Sequence, residues 1–178
     1  MSAGGERLRL FCALRLPGES VERVAAWQAR ELRGGRLVPA ENLHLTLAFL
    51  GALPAAELPA LAAALGAAAA GAREIRLSLS AYRETRSVGM LVFDDEHGRA
   101  GALAATLAGS LETLGLYRRE ARPWSPHLTV LRFAAAPRLQ PPLPALGVVS
   151  PSDAAVYSSH LRPSGARYEV LEAKPLGG

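Results

Sequence analysis

Two short strings, 83 residues apart, constrain this chain more than any other feature. Residues 43–47 read Leu-His-Leu-Thr-Leu, and residues 126–130 read Pro-His-Leu-Thr-Val. In each, apolar residues alternate with a histidine and a threonine, the pattern of a half-buried strand. Residues two apart on a strand share a face. His44 therefore projects with Thr46, and His127 with Thr129, while Leu43, Leu45 and Leu47, and Leu128 and Val130, turn into a core. The two copies are separated by nearly half of the 178 residues. If each half is a lobe around its own strand, a pseudo-twofold packing sets two imidazoles and two hydroxyls face to face across a cleft.

That set suits phosphodiester hydrolysis. A neutral imidazole takes a proton from water, and an imidazolium gives one to the departing alkoxide. Histidine titrates near neutral pH, so both roles are open to it. Threonine hydroxyls donate to non-bridging phosphate oxygens. Neither a nucleophilic side chain nor a metal is needed. The competing reading is a pair of half-buried histidines bonded to backbone.

Around the two strings, the spacing predicts an α+β order without strict βαβ alternation. Strands are expected at Arg7–Leu16, Leu43–Leu50 (ended by Gly51), Arg73–Tyr82, Ser87–Asp94, His127–Phe133, Leu146–Tyr157 and Arg167–Ala173, with Leu37–Val38 a short extended piece. Helices are expected at Glu19–Arg33, Pro54–Ala70 and Arg99–Leu114, the last stopped by Gly115. Ala134–Pro144 reads as an exposed, proline-rich loop.

With these surroundings the sequence resembles the two-histidine phosphoesterase superfamily, in the branch of RNA 2′,3′-cyclic phosphodiesterases also called LigT-like or 2′-5′ RNA ligases. The resemblance runs from Arg9-Leu-Phe-Cys-Ala-Leu14, through residues 38–51 and 122–132 around the motifs, to residues 163–169. It implies one bilobal domain over residues 1–178, a duplicated fold of two mainly antiparallel sheets with outer helices around a central cleft. It implies hydrolysis of a terminal 2′,3′-cyclic phosphate to a 2′-phosphomonoester, with an ATP-independent 2′-5′ ligation as the reverse in some members. Catalysis carries over to His44 and His127, and phosphate binding to Thr46, Thr129 and Arg132. His44 is taken as the acid toward the 3′ oxygen and His127 as the base, an order that sequence does not decide.

Three of the matched positions keep two readings. Arg132 follows His127 by five residues, so an ideal strand points it to the opposite face. It reaches a phosphate only if the strand bulges or ends. Trp124, where the family often has phenylalanine, stacks on a base or packs its own loop. Phe11 lines the cleft or packs against a neighbouring element.

The expected partners are RNA ends carrying a cyclic phosphate, such as tRNA halves, or nucleotides. The net charge of +4, with 19 of 20 basic residues arginine, is compatible with an anionic substrate but does not select one. Related substrates for the same chemistry are small cyclic nucleotides, ADP-ribose cyclic phosphate and 2′-5′ oligonucleotides. A binding-only RNA module is the competing class, and the intact set of two histidines and two threonines argues against it.

No cofactor is expected, because glycine-rich phosphate loops are missing. No metal is expected either, because no Cys–His framework exists. His97, in an acidic turn, and His160, at a strand end, read as surface histidines. Arg118, Arg119 and Arg122 form a basic cluster before the second motif, either an RNA contact or a solvated loop. Cys12 reads as an inert core residue. With no apolar run long enough to span a bilayer and no signal-peptide layout, a cytoplasmic monomer is expected.

Overall fold

The computed structural model describes residues 5–177. The first four residues and Gly178, part of the single-domain reading, lie outside it. Among the described residues the fold is α+β, with two antiparallel sheets and three α-helices. The strands are β1 (Arg7–Arg15), β2 (Arg36–Leu37), β3 (His44–Pro54), β4 (Leu77–Glu84), β5 (Val88–Asp95), β6 (His127–Arg132), β7 (Val148–Val149), β8 (Asp153–His160) and β9 (Arg167–Pro175). The helices are α1 (Gly18–Glu31), α2 (Leu58–Ala70) and α3 (Arg99–Thr113). One sheet has the order β3-β1-β8-β9, the other β2-β6-β5-β4-β7. Each draws strands from both halves of the chain.

The helices follow from their apolar spacing. Along α3, Ala100, Leu103, Ala104, Leu107, Ala108 and Leu111 are buried, the three-and-four spacing of a single face. The Asp95 carboxylate accepts the backbone N–H groups of Ala100 and Gly101 at 3.0 and 2.8 Å, satisfying two otherwise unpaired donors at the helix start. At the other end Gly115 takes a positive φ of 71°. Gly115 N–H donates to Glu112 O and Leu116 N–H to Leu111 O, the paired C-terminal bonds that a left-handed residue permits.

β1 runs through the middle of the first sheet and is buried on both faces. Leu10, Cys12 and Leu14 enter the main core, while Phe11 and Ala13 form a small second cluster with Ala155 and Tyr157. Burial pushes the Cys12 thiol up to about 12, so it stays an un-ionised core group.

Two expectations are corrected by the backbone. β3 does not end at Gly51 but continues to Pro54. Gly51, at φ 72°, absorbs an irregularity in which Leu10 pairs with Gly51 and Phe11 with Phe49, leaving Leu50 over. The single strand expected over Leu146–Tyr157 is two strands in different sheets. β7 pairs with β4 and β8 with β1, and Pro151, which has no N–H to give a ladder, stands at the crossing. The Ala134–Pro144 segment is irregular as expected, but pinned. The Trp27 indole donates to Pro142 O at 2.7 Å, and Glu84 accepts from Arg138 and Leu139 N–H.

Among the described residues, no helix is long and apolar enough to cross a membrane.

Candidate active site

Both histidine strands are held by neighbours that expose one face. β3 is the edge strand of its sheet, and β6 is covered on its outer side only by the two residues of β2. Along β3 and β6 the motif residues alternate partly exposed and buried, His44 and Thr46 against Leu45, His127 and Thr129 against Leu128. The Trp124 indole N–H donates to the Thr46 carbonyl at 3.0 Å. The segment entering β6 is thereby tied to the threonine of the first motif.

Each strand bulges at the same place in its motif. Ala13 pairs with Thr46 and Cys12 with Ala48, so Leu47 has no partner. Met90 pairs with Thr129 and Gly89 with Leu131, so Val130 has none. An extra residue reverses the alternation that follows it. Leu47 and Ala48 are both buried, as are Val130 and Leu131, and the next residue in each strand, Phe49 or Arg132, is exposed. This answers the parity problem of Arg132: the bulge at Val130 turns it back to the face of Thr129.

His44, Thr46, Thr129, Arg132 and Phe11 line one cavity of about 530 Å³, together with Asn42, Phe49, Tyr168 and three further arginines, Arg9, Arg36 and Arg162. That volume suits a nucleotide-sized ligand. His127 stands outside this lining. Trp124 also does not line it; its ring packs against the core and its N–H serves the tie to Thr46.

The two imidazoles are oriented alike. His44 Nδ1 donates to the Asn42 carbonyl at 2.7 Å, and His127 Nδ1 donates to the Ser125 carbonyl at 3.0 Å. A carbonyl can only accept, so each bond places a proton on Nδ1 and makes Nε2 the acceptor of the neutral ring. His44 Nε2 accepts from the Thr46 hydroxyl at 3.0 Å. The carbonyl bonded to each ring lies two residues before it, where the strand begins.

Their surroundings differ. His44 is enclosed by aromatic rings: Phe11 at 4.8 Å, Tyr168 at 5.3 Å and Tyr157 at 5.8 Å between centroids. Burial lowers its pKa from 6.5 to about 4. The bond to Asn42 opposes that fall, and the charges of Arg132 and His127 add to it. His44 is therefore neutral in the empty cleft at neutral pH.

Phe49, Asn42, Tyr157 and Tyr168 escaped the reading of the sequence. Tyr157 needs the pairing of Phe11 with Tyr157 across β1 and β8 to be placed. Phe49 had a signal: it follows His44 by five residues, as Arg132 follows His127. Asn42 donates from Nδ2 to Ala166 O at 2.8 Å, holding the β8–β9 turn over the cavity, and its buried Oδ1 has no partner among the described residues.

The remaining candidates lie elsewhere. His160 accepts from Ser158 Oγ at 3.0 Å and sits 3.4 Å from Glu169, in a smaller depression with Arg162 and Arg167. His97 occupies a turn at φ 60°. Arg119 pairs with Glu112 and Arg122 with Glu120, and none of the Arg118–Arg122 cluster lines the cavity. Among the described residues no group of three or more His, Cys, Asp or Glu is placed to hold a metal ion.

Residues 16–162 match the 2′-5′ RNA ligase superfamily. The chain belongs to that family. An RNA 2′,3′-cyclic phosphodiesterase of Escherichia coli (strain K12) is 31% identical over 170 residues, covering 94% of this chain and 96% of its own. One from Thermus thermophilus is 35% identical over 192 residues, covering 96% of this chain and 91% of its own. The crystal structure of E. coli LigT complexed with 3′-AMP superposes with a TM-score of 0.84 at 29% identity, over 97% of this chain and all of that one.

Proposed function

We propose that this protein hydrolyses the terminal 2′,3′-cyclic phosphate of RNA to a 2′-phosphomonoester, with His44 and His127 as its acid–base pair. Thr46, Thr129 and Arg132 hold the phosphate. The observation that carries the reading is the matched bonding of the two imidazoles, each donating from Nδ1 to a backbone carbonyl, beside a cavity edged by threonine and arginine. The names of the family relatives support the same reaction.

In the reaction a water oxygen attacks phosphorus while its proton passes to one imidazole. The bond from phosphorus to the 3′ oxygen breaks, and the other imidazolium protonates that oxygen. The histidines leave the cycle with their protonation exchanged and reset through solvent. The bound phosphate brings the negative charge that the aromatic enclosure lacks. His44 takes up its proton with the substrate and gives it to the 3′ oxygen. A buried imidazolium is a strong acid for that step. His127, outside the cavity lining, receives the proton of the water. The Arg132 guanidinium, with its paired donors, suits two phosphate oxygens at once. With a 5′ hydroxyl in place of water, its oxygen attacks the same phosphorus, the same bond to the 3′ oxygen breaks, and the same groups would join RNA 2′-5′ without ATP.

Three arginines besides Arg132 line the cavity, more charge than one phosphate requires. This favours an RNA chain over a cyclic mononucleotide as the ligand. The functional groups of the cavity come from one chain, so a monomeric, single bilobal domain suffices. The test is to incubate the protein in EDTA with a short RNA ending in a 2′,3′-cyclic phosphate and locate the product phosphate. A 2′-phosphate, lost in His44→Ala and in His127→Ala, supports the reading. Undiminished turnover in either variant overturns it.

A further inference from the structure

The strand ladders leave the distance between the two histidines open. β3 and β6 belong to different sheets and share no ladder. An acid–base pair nevertheless has to keep its spacing closely, because a misplacement of about 1 Å can cost roughly a hundredfold in rate. Among the described residues, one hydrogen bond joins β3 to the segment that enters β6: the Trp124 indole N–H donates to the Thr46 carbonyl at 3.0 Å. Thr46 O is available for it because β3 is an edge strand, whose outward backbone groups have no strand partner.

Every residue around that bond is fixed in turn. Ser125 O accepts from the His127 ring at 3.0 Å. Pro126 O accepts from Phe93 N–H on β5 at 3.1 Å, which fastens the segment to the five-stranded sheet. Trp124 fastens the same segment to the four-stranded sheet. Beyond it, the Thr46 hydroxyl donates to His44 Nε2 at 3.0 Å. His127, Ser125, Trp124, Thr46 and His44 thus form an unbroken run of hydrogen bonds and short covalent links from one imidazole to the other. The indole at its centre is held as well. It packs against the main core, and a Cβ on Gly101, in the first turn of α3, would lie 4.0 Å from its Cε3. A close-packed ring has little room to swing, so the N–H stays aimed at Thr46.

We infer that Trp124 is a positioning residue whose indole N–H is the strut that sets the separation of His44 and His127 across the cleft. This deepens the function proposed above and rests on it for the roles of the two histidines. Trp124 does not line the cavity, so it acts through the geometry of the pair and not through the ligand.

Trp124→Phe keeps an aromatic ring in the same packing but removes the side chain's only donor. On an RNA ending in a 2′,3′-cyclic phosphate it should lower kcat by roughly 10- to 100-fold. KM should stay within about threefold, since Thr129 and Arg132 keep their own supports on β6. The control is Leu103→Val, which removes a buried methylene from α3 and leaves the strut intact; Leu103 is 2% exposed. It should lower the melting temperature and leave kcat within about twofold of the native value. An unchanged kcat in Trp124→Phe overturns the inference, and so does a rise in KM with kcat held. A loss of kcat in Leu103→Val as large as that in Trp124→Phe would mean that activity merely follows stability, and would overturn it too.

Crystal structures of the native protein and of Trp124→Phe, each soaked with inorganic phosphate, give a readout that needs no turnover. The distance between the two Nε2 atoms should lengthen in the variant by at least about 0.5 Å, the tolerance of a working constellation. Equal distances would sink the strut. If the native protein turns over no cyclic-phosphate RNA, the proposed reaction fails while this comparison still decides what Trp124 does.

Discussion

The enclosure of His44 by Phe11, Tyr157 and Tyr168 gives the protein a pH dependence that can be worked out in advance. An unfolded histidine titrates near 6.5, whereas burial holds His44 at about 4 in the folded chain. Between those values the unfolded chain binds more protons than the folded one, so this residue's contribution to stability rises with pH across the window. It is fully present above 6.5 and is lost as pH falls toward 4. At about 1.36 kcal/mol per pH unit the full difference is about 3 kcal/mol. Solvent at the cleft mouth reduces this to roughly 2–3 kcal/mol. The perturbation is His44→Gln, which keeps a polar side chain of similar reach but does not titrate.

Urea unfolding of both proteins at a series of pH values from 4 to 7.5 gives two stability curves. Their difference cancels the other titrating groups. Native stability should fall relative to the variant by that amount between pH 7 and pH 4, with most of the change below 6.5. A difference constant to within about 0.5 kcal/mol would refute the desolvation argument. A native protein that gains on the variant at low pH would mean that His44 has an anionic partner in the empty cleft.

The same physics predicts that anion binding protonates His44. Calorimetry of 3′-AMP binding near pH 6, in buffers of different ionisation enthalpy, should show net proton uptake that disappears in His44→Gln. Removing the imidazole altogether, in His44→Ala or His127→Ala, should lower kcat by about 10²- to 10⁴-fold with a nearly unchanged melting temperature. Arg132→Ala should lower kcat/KM on a cyclic-phosphate RNA end by roughly 10- to 100-fold, as expected for a lost charge-assisted bond. Arg132→Lys should recover only part, since an ammonium cannot make the paired contact. Gln28→Leu tests the support behind that arginine. Gln28 is buried on α1, and its amide donates to the carbonyls of Val38 (3.0 Å) and Val130 (2.7 Å), the latter at the bulge that aims Arg132. Val130 O keeps a bond from Val38 N–H, so one carbonyl is stranded, at about 1–3 kcal/mol. The melting temperature should fall by roughly 2–4 °C per kcal/mol, and KM should rise as Arg132 loses its aim. An unchanged KM would separate Gln28 from the site.

The sequence by itself determined the local elements and the candidate side chains they carry. The alternation in β1, β3 and β6, the helical spacing of α3 and the Gly115 stop all depend on side chains within a few residues of one another, so periodicity exposes them. The two His-x-Thr strings, their spacing and their flanks likewise identified the family, and with it the candidates His44, His127, Thr46 and Thr129. What the sequence could not hold is pairing between distant strands. The break of Leu146–Tyr157 into β7 and β8 depends on two sheets competing for one extended segment. The return of Arg132 to the cleft depends on Val130 having no partner on β5, and the exposure of Phe49 on Leu47 having none on β1. The low pKa of His44 depends on β8 and β9 delivering Tyr157 and Tyr168 to its ring. A period-two pattern states which residues share a face only while the ladder is regular. Where a bulge inserts one residue, only the partner strand decides which side chains reach the site.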